Sequence, residues 1–239
     1  MKYDDFVAAQ ENLFAFTVMQ EISDVSALGK ICNPLYLYAQ TGCGKTHLVS
    51  AFAEELEKHS LKTTIISAAE LTDRLAYFLS RERYNKIEKF CESFSLGDAV
   101  VVEDVQSLMG MESTQDVLAR IVTSVIERGG QVILTADVPI EKLSVLDRFF
   151  KRNFAWGLVA DIEKPGVTLK YKILETKAEK EGLYISEKMK QEIVKVTKSI
   201  NQLEGILQQI KFYDNVEGRE TRGQQISDEI VIRALGPRI

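Results

Sequence analysis

The stretch Ala39-Gln40-Thr41-Gly42-Cys43-Gly44-Lys45-Thr46 restricts this chain more than any other part of its sequence. A short apolar run, Leu35-Tyr36-Leu37-Tyr38, leads into it after Pro34. Residues 47–58 follow, with Leu48, Ala51, Phe52, Glu55 and Leu56 at helical spacing. A G-x-x-x-x-G-K-[ST] loop between strand and helix wraps backbone N–H groups around phosphate oxygens. Its Lys reaches the β/γ-phosphates and its hydroxyl offers a ligand to Mg²⁺. Here Ala39 stands at the first Gly position, while Gly42 and Gly44 remain where the backbone most needs freedom. Lys45-Thr46 opens the helix, whose N-terminus adds its own partial positive charge. A Gly-rich turn that happens to carry Lys-Thr is the bland alternative, and the flanking strand and helix weigh against it. The expectation is a site for ATP or ADP with Mg²⁺, formed by Gln40, Thr41, Gly42, Cys43, Gly44, Lys45, Thr46 and the adjoining His47, with Thr46 on the metal.

Strand-like and helix-like runs alternate through residues 1–162. Thr63-Thr64-Ile65-Ile66 is β-branched, and residues 68–94 have helical character in two pieces. Val100-Val101-Val102 is too apolar and too β-branched for anything but a buried strand. Residues 113–128 form a helix ended by Gly129-Gly130, and Val132-Ile133-Leu134 is another buried strand. This alternation predicts an α/β core with a parallel sheet covered by helices on both faces. From residue 163 the pattern changes. Residues 170–181, 186–198 and 201–213 read as three helices, with only a short β-branched run near Ile226 beside them. Glu163-Lys164-Pro165-Gly166 is the expected hinge between the core and a smaller C-terminal helical lid over 163–239.

The length of 239 residues suits one large domain or one domain with a smaller companion. No apolar run approaches a membrane span, and the acidic start Met1-Lys2-Tyr3-Asp4-Asp5 lacks the apolar core of a signal peptide. Three cysteines without metal-ligand spacing suit a reducing, cytoplasmic compartment. A net charge of −5 gives no global reason to bind nucleic acid, so any such contact needs a local basic patch.

Two further elements carry chemistry. Glu103-Asp104 ends the strand Val100-Val101-Val102. Beside a phosphate loop, one carboxylate (Glu103) would hold the Mg²⁺ shell and the other (Asp104) would orient the attacking water. Asp137 ends the strand Leu134-Thr135-Ala136, where it either senses a γ-phosphate or serves as a turn residue before Val138-Pro139. Cys43 has two readings: a thiol activated among N–H donors, or a small tolerated residue, which is the favoured one.

The segments Cys32–Leu48, Asp98–Leu108 (DAVVVEDVQSL) and Gln131–Ile140 (QVILTADVPI) together resemble the AAA+ module of the bacterial replication initiator family DnaA. So do FAWGL at 154–158 and LEGIL at 203–207, in order over nearly the whole chain. The resemblance implies an AAA+ core with a helical lid and nucleotide between them. It implies adenine contact by the leading segment, here Phe6, Val7 and Asn12. It also implies assembly with further copies or another DnaA-family subunit, in which an Arg of one subunit touches the nucleotide of the next, and contact with single-stranded DNA at an origin. A stand-alone regulator of the Hda type and a helicase-loader-like protein share this core and are the alternatives.

Several positions depart from the family pattern. Glu103 stands where the family usually has Asp. The finger Arg position falls on Asn153, with Arg152 one place earlier and Arg148 four before that, so these two are the candidate cationic contacts. Neighbouring helical side chains point about 100° apart, so Arg152 does not inherit the role automatically. The sensing Arg of the lid falls on Asn201. A finger Arg contributes orders of magnitude in rate, so these changes favour nucleotide binding with at most slow hydrolysis. In the region the family uses for single-stranded DNA, Arg74, Arg81, Arg83, Lys86 and Lys89 are balanced by Glu70, Asp73, Glu82, Glu88 and Glu92. That pattern also suits a solvated helix face.

Overall fold

The computed structural model describes residues 2–80, 84–94, 96–143, 157–216 and 225–236. The chain divides into two compact units, Met1–Glu163 and Lys164–Ile239.

In the first unit five parallel strands, β1 (Leu35–Ala39), β2 (Thr63–Ser67), β3 (Ala99–Glu103), β4 (Gln131–Ala136) and β5 (Leu158–Ile162), lie in the order β2-β3-β4-β1-β5. The apolar runs are continuous because both faces are covered, and the pleat sends alternate residues to two separate cores. Tyr36, Val100, Val102, Val132 and Leu134 join one core, which α3 (Ala68–Ser80), α4 (Tyr84–Phe94) and α5 (Glu112–Glu127) complete. Leu35, Leu37, Ala99, Val101 and Ile133 join the other, with α1 (Leu13–Glu21) and α2 (Lys45–Lys58). The helical region expected over 68–94 does come in two pieces, α3 and α4. Two elements of this unit escape the periodicity reading. Helix α1 is apolar nearly all round, and β5 is short, with exposed Val159 and Asp161 alternating with buried Ala160 and Ile162.

Gln131, fully buried at the start of β4, anchors the loop before β1. Its Oε1 accepts the Gly29 N–H at 3.1 Å and its Nε2 donates to the Cys32 carbonyl at 3.2 Å. Asn33 adds a donor to the Gly130 carbonyl (2.9 Å) and an acceptor for the Val132 N–H (3.0 Å). These bonds satisfy buried polar groups that would otherwise destabilise the fold, and they fix where β1 begins.

The second unit is helical: α6 (Val167–Glu181), α7 (Glu187–Val196), α8 (Ile200–Val216) and α9 (Asp228–Leu235). Leu174, Ile193, Leu203, Leu207, Ile210 and Val231 are buried. Lys170 Nζ donates to the Val194 and Thr197 carbonyls at 2.9 and 2.7 Å, capping the C-terminal end of α7. Lys190 Nζ meets Glu175 and Glu187 at 3.1 and 2.8 Å. The β-branched run near Ile226 needs correction. Among the described residues there, Gln225 alone makes a β-type bridge, to Tyr184, and Ile230-Val231-Ile232 belongs to α9. Asp228-Glu229 place acidic charge in the first turn, and Ile230 and Val231 are buried, which outweighs their β-branched preference.

Candidate functional site

Strand β1 ends at Ala39 and α2 begins at Lys45. Ala39 is a buried strand residue, so the missing first Gly falls where no unusual backbone is needed. The tight turn comes later, at Gly42 (φ 81°) and Gly44 (φ 106°). Cys43 N–H donates to the Gln40 carbonyl at 3.2 Å, and the Cys43 side chain is only 5% exposed, packed in the α1/α2 core. Its burial agrees with the small-residue reading and argues against an activated thiol. Lys45 Nζ donates to the Ala39 carbonyl at 2.5 Å, so the ammonium lies across the loop. Gln40, Thr41 and Thr46 are exposed around it, and no side chain caps the first turn of α2, so that turn's N–H groups and dipole are directed at the loop.

The carboxylates come from strands on the same side of β1. Glu103 is the last residue of β3 and half-buried. Burial raises its pKa first, the neighbouring Asp104 charge raises it further, and Lys45 opposes both. That last influence brings the loop and the acidic pair into one electrostatic neighbourhood. Asp104 follows in the left-handed conformation (φ 57°, ψ 47°), which Asp tolerates better than most residues. Its N–H donates to Thr135 Oγ1 on β4 at 3.2 Å. Asp137, just past β4, has a buried Oδ1 with no hydrogen-bond partner among the described residues. Tyr36 donates to the Val138 carbonyl at 2.7 Å, and its phenol is pushed up by burial and by the Asp137 charge.

The leading segment packs onto the loop. Phe6 stacks on Phe16 (centroids 5.3 Å apart, planes 5° apart) and meets His47 edge-on at 5.3 Å. A Cβ on Gly44 would stand 3.3 Å from the Phe6 ring. His47 Nε2 lies 3.2 Å from the Lys2 carbonyl. Asn12 is buried, and its amide is engaged within the segment: it accepts the Ala9 N–H at 2.8 Å and donates to the Val7 carbonyl at 3.1 Å. Asn12 therefore shapes the turn that carries Val7.

The loop residues, Phe6, His47, Glu103, Asp104 and Asp137 thus belong to one unit. Asn201 lies in the other, exposed in the first turn of α8. Arg148, Arg152 and Asn153 lie outside the described residues, as do Arg81, Glu82 and Arg83. On α3, Arg74 pairs with Glu70 at 2.5 Å and sits 5.8 Å over the Phe90 ring, the i,i+4 pairing that the charge pattern suggests. Lys86 and Lys89 are exposed on α4. Two polar residues of the site, Thr135 and Gln106, carry no role in the sequence reading. Their signal is position alone, each lying two residues from a site carboxylate: Gln106 after Asp104 and Thr135 before Asp137.

A parallel sheet in the order 2-3-4-1-5, with the loop after β1 and the acidic pair after β3, defines the AAA+ class of P-loop folds. Within that class the chain belongs to the bacterial DnaA family: the model of the bacterial DnaA ATPase domain matches residues 1–161. The chain is 32% identical over 219 residues to the chromosomal replication initiator protein DnaA of Anaplasma marginale. That match covers 91% of the chain and 46% of the relative, so the chain spans under half of that relative's length. Among solved structures, a replication initiator DnaA bound to AMPPCP and single-stranded DNA superposes with a TM-score of 0.81 at 25% identity, covering 92% of this chain and 67% of that one. Domain III of DnaA from Thermotoga maritima gives 0.85 at 23% identity, covering 98% and 95%. Among the described residues no helix is long and apolar enough to cross a membrane.

Proposed function

We propose that the Met1–Glu163 unit binds ATP or ADP through Gln40–Thr46, and that the chain acts in initiation of DNA replication, or its regulation, by nucleotide-dependent assembly. The observation that carries this reading is the single neighbourhood of Lys45, the bare N-terminus of α2 and the Glu103-Asp104 pair. A triphosphate supplies the anionic partner such donors lack. Phe6 and His47 stand beside the loop as the flank for the base, with Val7, whose carbonyl Asn12 holds, next to Phe6 in the chain.

The residues also fit Mg²⁺. Glu103 is a carboxylate whose charge is disfavoured by burial and by Asp104, a condition a cation relieves, and Thr46 offers an exposed hydroxyl. Among the described residues no three His, Cys, Asp or Glu side chains cluster. Mg²⁺ takes one or two protein ligands and completes its shell with phosphates and water, a role Glu103 and Thr46 could share. When bound, the ion would neutralise charge developing on the phosphate oxygens. Asp104 would orient the attacking water, and the orphan oxygen of Asp137 would accept a hydrogen bond from it. Arg148 and Arg152 remain the candidate contacts to a neighbouring subunit's nucleotide. Asn153 and Asn201 at the family's Arg positions support slow turnover.

The DnaA structure bound to AMPPCP and single-stranded DNA supports the same ligands here, with Lys86 and Lys89 on α4 as the exposed cations for DNA. Sedimentation with a non-hydrolysable ATP analogue and with ADP tests the assembly. Larger species with the analogue alone are expected; identical profiles, with both nucleotides bound, would sink it.

A further inference from the structure

Gln106 lies in the 3-10 turn Val105–Leu108, directly after the acidic pair. Its side-chain amide lies between two carboxylate residues, Asp104 and Asp137, that each follow a strand, β3 and β4. Oε1 accepts the Asp137 N–H at 3.3 Å, and Nε2 reaches Asp104 Oδ1 at 3.5 Å, a long contact. The amide orientation follows from chemistry. A backbone N–H only donates, so it takes the oxygen, and the NH₂ is left facing a carboxylate that only accepts. The Gln head joins a neutral donor and an acceptor, so Lys or Glu breaks one side of the bridge and Leu breaks both.

A second tie runs parallel to the first. Asp104 N–H donates to Thr135 Oγ1 at 3.2 Å, and Thr135 is 1% exposed, two residues before Asp137 on the same strand. Ser107 closes the turn, its N–H and hydroxyl donating to the Asp104 carbonyl at 3.0 and 2.9 Å. Asp104 therefore keeps a left-handed backbone only while β4 and this turn hold it. The buried, unpartnered Oδ1 of Asp137 gives the other end of the bridge a reason to move when a donor reaches it.

We infer that Gln106 is a positioning residue that couples Asp137 at the end of β4 to the Asp104 carboxylate. A ligand that shifts Asp137 re-aims Asp104 through the Gln106 amide, while Thr135 fixes the Asp104 backbone. The inference rests on the nucleotide reading, in which Asp104 orients the attacking water.

The test is single-turnover hydrolysis of ATP by the full chain, with ADP affinity measured in parallel. Wild type, Gln106→Leu, Gln106→Glu, Asp104→Asn and Asp104→Asn/Gln106→Leu are compared. Gln106→Leu and Gln106→Glu are expected to slow hydrolysis about ten-fold, a modest part of the 10²–10⁴ that a positioned base contributes. ADP affinity stays within about two-fold, since the side-chain hydrogen bonds described for Gln106 go to Asp104 and Asp137 rather than to the loop. In the Asp104→Asn background, Gln106→Leu is expected to add nothing, because its effect passes through Asp104. Equal slowing in both backgrounds overturns the coupling, as does a parallel loss of ADP affinity. If Gln106→Leu does not fold, Gln106→Glu carries the single-variant test, and Asp104→Asn/Gln106→Glu replaces the double variant. A wild-type chain that binds nucleotide but never turns it over removes the task Gln106 is inferred to serve. One that binds no nucleotide overturns the proposed function itself, at the first titration.

Discussion

Gly44→Ala tests both the loop geometry and the packing of the leading segment. At φ 106° an L-residue is strained by about 1–2 kcal/mol. The new Cβ would also stand 3.3 Å from Cε2 of Phe6, tighter than ordinary van der Waals contact. Phe6 must yield by a few tenths of an ångström against its stack on Phe16, an aromatic pair contributing about 0.5–1.5 kcal/mol. The expected loss is therefore about 1.5–3.5 kcal/mol. Gly129→Ala is the control: φ is 79°, but a Cβ there meets nothing within 4 Å, so only the strain of about 1–2 kcal/mol applies. Urea unfolding of both variants reads the difference from their midpoints. Adding Phe6→Ala to each background should shrink the gap between them, because it removes the ring that Gly44→Ala strikes. Equal destabilisation of the two glycine variants would refute the packing of Phe6 over the loop. Undiminished ADP affinity in Gly44→Ala would refute the claim that the loop's backbone shape holds phosphate.

Other outcomes follow from the same geometry. Because burial and Asp104 raise the Glu103 pKa, the folded chain holds that proton more tightly than the unfolded chain. The associated stability is present below the unfolded pKa and is lost as pH rises through the raised folded value. Glu103→Gln should therefore raise Tm relative to wild type more at pH 7 than at pH 4; an equal gap at both refutes this. Cys43, 5% exposed, should alkylate slowly in the native state, at a rate unchanged by ADP; protection by nucleotide would place the thiol in the site instead. Reversing both exposed cations, Lys86→Glu with Lys89→Glu, should weaken single-stranded DNA binding and flatten its salt dependence, read by fluorescence anisotropy across a salt series. An unchanged slope would remove α4 from the DNA contact.

What the sequence makes legible here is whatever local pattern encodes. Val100–Val102 and Val132–Leu134 announce buried strands because both faces of the sheet are covered, and the loop announces itself through Gly42, Gly44 and Lys45. Long-range contacts leave no such mark. Phe6 lies against a glycine 38 positions away in sequence, and Thr135 meets Asp104 only because β3 and β4 are neighbours. Ile230-Val231-Ile232 hides helix α9, because the β preference of this run yields to an acidic first turn and to the burial of Ile230 and Val231. Gln106 was invisible for a different reason: a single Gln has no motif, and its meaning lies in the two carboxylate residues its amide spans.

Everything proposed for this chain depends on Gln40–Thr46 holding the phosphates of ATP or ADP. Titration of the full chain with a fluorescent ADP, with and without Mg²⁺, tests it most directly, alongside Lys45→Ala. Saturable binding by wild type is predicted, weakened at least about ten-fold by Lys45→Ala with little change in Tm, since the ammonium is the loop's charge-assisted phosphate contact. Equal affinity for wild type and Lys45→Ala, or no binding by wild type at all, would contradict it.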